Sequence, residues 1–254
     1  MIKKLLLFVL IVGSALSASA QEKGKFIAQK KRKICDATIY GNIGMYNGSY
    51  WGTGVKTNYL WGVGKRRQNF RVGVGLRSYF YKASRREYTT SSVDAIENMI
   101  GGADSLYFPK LRSFTVNPYI SMQVKVKRGI DFGVNLDLGG ITFGSTKIAY
   151  FHSYELTYSA QKRVNMQPYG FNLSPLINNG QSYGSTMMEA YFRFNADKRH
   201  SYQLGANYFI NEVTTKIPIT GNGKLFKSNN YLIMAGMTFN LRWHQSAYDA
   251  NMAY

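Results

Sequence analysis

Apolar and polar residues alternate with a period of two along most of this chain. The segment from Phe70 to Tyr81 shows the pattern best. Phe70, Val72, Val74, Leu76 and Phe80 fall on one face, broken only by Ser78, and Arg71, Gly73, Gly75, Arg77 and Tyr79 fall on the other. Such alternation marks a strand with one apolar face. It recurs at about 37–47, 51–63, 112–126, 130–143, 184–195, 201–213 and 230–243. In the fourth strand Phe114, Val116, Ile120, Met122 and Val124 oppose Thr115, Asn117, Ser121, Gln123 and Lys125. In the fifth, Ile130, Phe132, Val134 and Leu136 oppose Asp131, Gly133, Asn135 and Asp137. These strands match or exceed the roughly 9–11 residues that a tilted strand needs to cross a bilayer. Soluble strands are shorter, about 5–6 residues. The pattern predicts an all-β fold, an eight-stranded antiparallel up-and-down transmembrane β-barrel. A lipocalin-type barrel with its apolar face turned inward is the alternative. The glycine on the polar faces disfavours it, because glycine suits the crowded inside of a narrow barrel.

The connections sort by length. Short turns fall at 64–67, 127–129 and 196–199, and long loops at about 83–111, 144–183 and 214–229. Membrane barrels have short periplasmic turns and longer outer loops, so the basic turns are expected on the periplasmic side. The connection near Asn47–Tyr50 is expected on the outer side and is short. Lys127-Arg128-Gly129 fits a three-residue hairpin with Gly129 left-handed, which sets Lys125 opposite Asp131. An opposite-charge pair there would contribute roughly 0.2–1 kcal/mol. Tyr50, Trp51, Phe80 and Tyr81 gather at the expected outer rim, and Trp61, Phe70, Phe194, Tyr202 and Trp243 at the inner rim. Aromatic girdles are a feature of membrane barrels.

The N-terminus adds an address. Lys3 and Lys4, the apolar run Leu5–Val12 and the small-residue pattern Ala18-Ser19-Ala20 read as a cleaved secretory signal over 1–20. A basic periplasmic leader is expected over 21–36, the barrel over 37–243 and a periplasmic tail over 244–254. Cys35 is the only cysteine, so an internal disulfide is excluded. The formal charge of +19 falls to 19 − 2 = +17 without Lys3 and Lys4. Such a balance favours anionic partners; for an exported chain these are outer-membrane lipids or acidic glycans, and no nucleic acid.

The strands, the leader peptide and the C-terminal segment together resemble the small bacterial outer-membrane β-barrel proteins of the OmpA and OmpX type. The resemblance covers nearly the whole mature chain as a pattern. Its most specific piece is Ala235-Gly236-Met237-Thr238-Phe239-Asn240-Leu241. There Gly236, Phe239 and Leu241 look like the signal read by the barrel assembly machinery in that class. In that class the signal stands at the terminus, whereas here the tail Arg242–Tyr254 follows. The resemblance implies localisation in the bacterial outer membrane.

Residues for catalysis are sparse. The histidines are His152, His200 and His244. His152 stands beside Ser153 and near Glu155, but neighbouring strand residues point to opposite faces, so His152 and Ser153 are poorly placed to pair. Gly62-Val63-Gly64-Lys65 lacks phosphate-loop spacing. No catalytic, cofactor or metal site is expected. The inward charges instead suggest a network of Arg71, Arg77, Lys125 and Arg193 with Asp131, Asp137 and Glu189, joined by Lys56 and Arg242. Eight strands leave an interior just wide enough for side chains, so a filled barrel is expected. The expected role is structural or partner-binding, through long outer loops or a basic periplasmic face. The partner is a periplasmic or cell-surface protein, as for an accessory of an export or envelope complex. A lipid-modifying enzyme using His152 and a narrow pore are the alternatives.

Overall fold

The computed structural model describes residues 33–44, 49–63, 69–90, 104–127, 129–152, 162–178, 183–196, 199–215 and 224–241. The expected signal segment, most of the leader, the tail and Trp243 lie outside them. The strands are β1 (Lys33–Gly44), β2 (Ser49–Gly62), β3 (Phe70–Thr90), β4 (Ser105–Lys127), β5 (Ile130–Asp137), β6 (Gly139–Phe143), β7 (Lys147–His152), β8 (Lys162–Pro168), β9 (Phe171–Leu173), β10 (Thr186–Asn195), β11 (His200–Thr215) and β12 (Leu225–Asn240). Eight of them close a ring in the order β1-β2-β3-β4-β5-β10-β11-β12, and β12 pairs back onto β1. Every neighbouring pair is antiparallel.

Several expected boundaries shift, among them those of the first and fifth strands. The first strand starts at Lys33, before the expected residue 37, because Lys33 to Asp36 continue the β2 ladder opposite Trp61 to Asn58. The fifth expected strand is two strands, β5 and β6, parted at Leu138, with Gly140 at φ +145 just beyond. The hairpin turn keeps its expected form. Gly129 has φ +81 and Lys125 pairs with Asp131, with a bulge between Lys125 and Lys127.

The alternation settles which face meets what. Outward residues of the ring from Phe70 to Phe80 and at the same height on the other strands are uncharged. Ile39, Val55, Leu76, Leu204 and Ile233 are among those standing exposed. Phe70 to Phe80 spans ten residue steps. At about 3.3 Å per residue and a tilt of about 40°, that is an apolar band about 25 Å tall, the height of a bilayer-facing barrel surface. Aromatic pairs mark both margins: Trp51 with Phe80 at 5.9 Å at one, Tyr59 with Trp61 at 4.8 Å at the other. Tyr50 and Tyr81 do not join the outer girdle. They fall on the inward parity of β2 and β3 and are buried.

Inward glycines make room for tyrosine rings. A Cβ on Gly52 would overlap the Tyr79 ring, on Gly54 that of Tyr40, on Gly75 that of Tyr119 and on Gly133 that of Tyr191. Each ring lies flat against a neighbouring strand where no side chain rises. This fills a narrow barrel with large side chains that retain a polar end.

Above the girdle the wall continues as a second closed ring. β3 and β4 run past the membrane-height barrel, and the order becomes β3-β4-β7-β8-β11-β12, closed by β12 on β3 at Phe226↔Thr90 and Lys227↔Thr89. The described residues of the stretches expected as long loops are thus largely strand. The inward phase slips by one residue at this level on both strands of the β3–β4 hairpin: the buried series Tyr79, Tyr81, Ala83 resumes as Arg86, Tyr88, Thr90, and Leu111 is preceded by the opposite parity of Leu106 and Phe108. Arg85 stands at the slip with φ +53, a conformation that costs a residue with a Cβ. Tyr88, Leu106, Phe108, Ala149, Phe151, Met166, Val213 and Phe226 form the apolar core of this six-stranded crown.

Candidate functional site

Charge fills the inside of the barrel in two tiers. In the lower tier, Arg193 donates to Asp36 at 2.7 Å, Asn58 donates to the other Asp36 oxygen at 2.7 Å, and Tyr119 donates to Asn58 at 2.7 Å. Arg71 lies 3.6 Å from Asp131 and donates to Gln123 at 2.8 Å. In the upper tier, Glu189 accepts from both Lys56 and Arg77, the latter at 2.7 Å. Arg77 also lies 3.2 Å from Asp137, which accepts from Asn117 at 2.8 Å and from the Met187 backbone N–H at 2.9 Å. The Lys56 ammonium lies 4.7 Å from the centre of the Tyr191 ring. Buried charges persist when paired and hydrogen-bonded, and each of these has a partner across the lumen.

The structure brings together Arg71, Arg77, Arg193, Asp131, Asp137 and Glu189. Lys125 is not among them. It pairs with Asp131 in register, but it stands exposed at the strand end and makes no ion pair among the described residues, while Asn195 and Arg71 meet the carboxylate. Arg242 lies outside the described residues. Asp36 is the residue that sequence reasoning missed. It sits one place before the expected first strand, in a basic run that read as leader; extending the alternation back from Thr38 would have found it.

Tyr79, Tyr81 and Phe209 roof the charged tiers, with ring centres 5.3 Å (Tyr79–Phe209) and 4.9 Å (Tyr81–Phe209) apart. Arg86 closes the roof, stacking 4.6 Å over Tyr50 and donating to Ser228 and the Asn229 carbonyl, both at 3.0 Å. The gap between Arg77, Tyr79, Asn117, Asp137 and Phe209 has no room for a water molecule.

The two described histidines are apart. His152 is exposed on β7 opposite Ser105, and His200 lies edge-on to Phe239, 5.7 Å away. Ser153, Glu155 and His244 lie outside the described residues. No cluster of three metal-ligating side chains occurs among the described residues. Of the expected assembly signal, Gly236 faces inward beneath Tyr40, while Phe239 and Leu241 face outward at the end of β12. Lys33 and Lys127 are exposed at the end expected to be periplasmic. Arg199 is exposed there too. Lys65, Arg66, Arg67, Arg128 and Lys198 of the turns, and the leader's basic residues before Lys33, lie outside the described residues.

The outside of the crown is also basic. Arg85, Lys110, Arg112, Lys147, Lys162, Arg163 and Lys224 are exposed there, and Lys82 and Lys227 are partly so, against Glu87 as the one exposed acid of its described strands.

A closed antiparallel ring of eight strands, an uncharged apolar exterior of bilayer height and a charge-paired interior define a small β-barrel of the bacterial outer membrane. No protein-family model matches the chain, and no curated protein sequence matches it. Among solved structures it is similar to the Neisserial surface protein A, at 8% identity over 84% of this chain and 100% of that one, TM-score 0.32. It is also similar to Ail of Yersinia pestis, at 14% identity over 82% and 100%, TM-score 0.31. A major outer membrane protein of Thermus thermophilus follows at 9% identity over 82% and 99%, TM-score 0.34. Likeness at this level is one of general strand arrangement and says nothing of role.

Proposed function

We propose that this protein is a sealed, non-catalytic barrel that holds an ordered crown outside the membrane as a binding surface for an envelope or surface partner. The observation that carries the reading is the second ring. Six strands with their own apolar core form a rigid platform where a barrel needs only loops, and rigid elements hold a recognition surface more accurately than bare loops do. The filled lumen beneath supports a role other than transport.

The test has two parts. Unboiled and boiled samples of the outer-membrane fraction are compared by gel migration, and Lys110→Cys in a Cys35→Ser background is labelled on intact cells with an impermeant maleimide. Heat-dependent migration with surface labelling is expected. Heat-independent migration, or labelling only after lysis, would overturn the reading. Crosslinking from the same cysteine then captures the partner.

The pore and enzyme alternatives are separable. Steady conductance of the purified protein in planar bilayers would favour the pore, and loss of lipid A acylation or hydrolysis in His152→Ala would favour the enzyme.

A further inference from the structure

Register fixes the height of the outer aromatic margin. Phe80 pairs with Phe114, and Phe114 with Phe143. Two residues further out on β3 and β4, the outward positions become cationic. Lys82 lies directly opposite Arg112, and its ammonium is 5.3 Å from the centre of the Trp51 ring. Lys110 follows, opposite Ser84, with exposed Arg85 beside it. β6 and β7 pass β4 in one register, which brings Lys147 level with Lys110. Among the described residues no carboxylate forms an ion pair with any of these five cations. Glu87, the outward acid of β3, lies further up the crown.

Like charges directly opposite one another destabilise a strand pair. Lys82 and Arg112 adopt that arrangement with Lys110, Arg85 and Lys147 around them, so an anion among them would offset the repulsion. Their height says which anion. They stand immediately beyond the aromatic margin rather than at the tip of the crown, which is the level of lipid headgroups. We propose that Lys82, Arg85, Lys110, Arg112 and Lys147 form a site for the phosphate groups of outer-leaflet lipid headgroups. The proposal rests on the reading above that the crown emerges from the outer leaflet.

The probe is diphosphoryl lipid A, with its phosphate-free form as comparison, offered to the full mature chain in detergent and read by native mass spectrometry. A sulfated glycan oligosaccharide is offered separately. The variants are Lys82→Gln/Lys110→Gln/Arg112→Gln and, as a control of equal charge change at the other end, Lys33→Gln/Lys125→Gln/Lys127→Gln. Each cation near an anionic surface contributes a several-fold effect, so the first variant is expected to bind the phosphorylated lipid at least roughly tenfold more weakly. The control should bind as the parent does, and the phosphate-free lipid should bind weakly throughout. Equal retention of both lipids, or an equal loss in both variants, would overturn the site. Glycan binding that depends on the first variant without phosphate discrimination among lipids would assign the cluster to a soluble polyanion and also overturn it. Heat-dependent gel migration of every sample shows separately whether the barrel itself is folded.

Discussion

Glu189 holds two cations at the centre of the barrel, and its removal tests whether the lumen is an ion-paired core. Lys56, Arg77 and Glu189 are all at most 2% exposed. Replacing Glu189 by Gln keeps the volume and one acceptor oxygen but removes the charge. Arg77 retains Asp137 at 3.2 Å, so the uncompensated charge falls on Lys56. Stripping one partner from a buried pair costs about 3–5 kcal/mol. The apolar replacement Lys56→Met removes the stranded charge, and Lys56→Met/Glu189→Gln is expected to recover most of the loss, with a coupling of about 2 kcal/mol or more. Arg71→Gln serves as comparison, since its contact with Asp131 is longer, at 3.6 Å, and partly exposed; about 1 kcal/mol or less is expected there. The assay is urea unfolding of the barrel refolded in lipid vesicles, followed by gel migration and by the fluorescence of Trp51 and Trp61. A Glu189→Gln variant within about 1 kcal/mol of the parent, or a double variant no more stable than the single, would refute the reasoning.

Gly133→Ala should destabilise the barrel, because its Cβ overlaps the Tyr191 ring, and Tyr191→Ala in the same chain should restore part of the loss; urea midpoints of the four combinations measure the coupling. Phe108→Ala should loosen the crown, at about 3–5 kcal/mol, since Phe108 is buried against Tyr88 at 4.7 Å. Limited proteolysis of vesicles would show faster cleavage in the crown with heat-dependent migration of the barrel unchanged. Lys125→Gln should leave stability within about 0.5 kcal/mol of the parent, the range of an exposed substitution, whereas Asp131→Asn should lower it by weakening the Arg71 and Asn195 contacts. Thermal unfolding of the two side by side distinguishes them.

Much of the membrane-height wall is legible in the alternation. Phe70 to Phe80 shows both faces, and the inward glycines pair with the tyrosines that need their space. The charges that meet across the lumen are harder to read. Glu189 is expected inside, but its choice of Lys56 and Arg77 depends on how strands far apart in sequence are staggered around the ring. Asp36 is hidden because it follows the basic run Lys30–Lys33, which reads as leader rather than strand. The crown is hidden for a different reason. A period-two pattern that slips by one residue, as it does at Arg85, looks like the end of a strand. Read afresh on each side of the slip, Arg86, Tyr88 and Thr90 alternate as well as Tyr79, Tyr81 and Ala83 do. The short strands β7 and β8 carry too few residues for any period to stand out.

The chain closes on itself twice, and the two closures join β12 to different partners. At membrane height the last strand meets the first, from Asp36↔Asn240 to Ile43↔Ile233. Above, that same last strand bypasses the β1–β2 hairpin and fastens to β3. The join between the chain's two ends is therefore clasped at its upper end by a second pairing of β12, with β3, that leaves β1 out. A lateral parting of β1 from β12 would stop at the clasp, leaving the crown as an unbroken hoop.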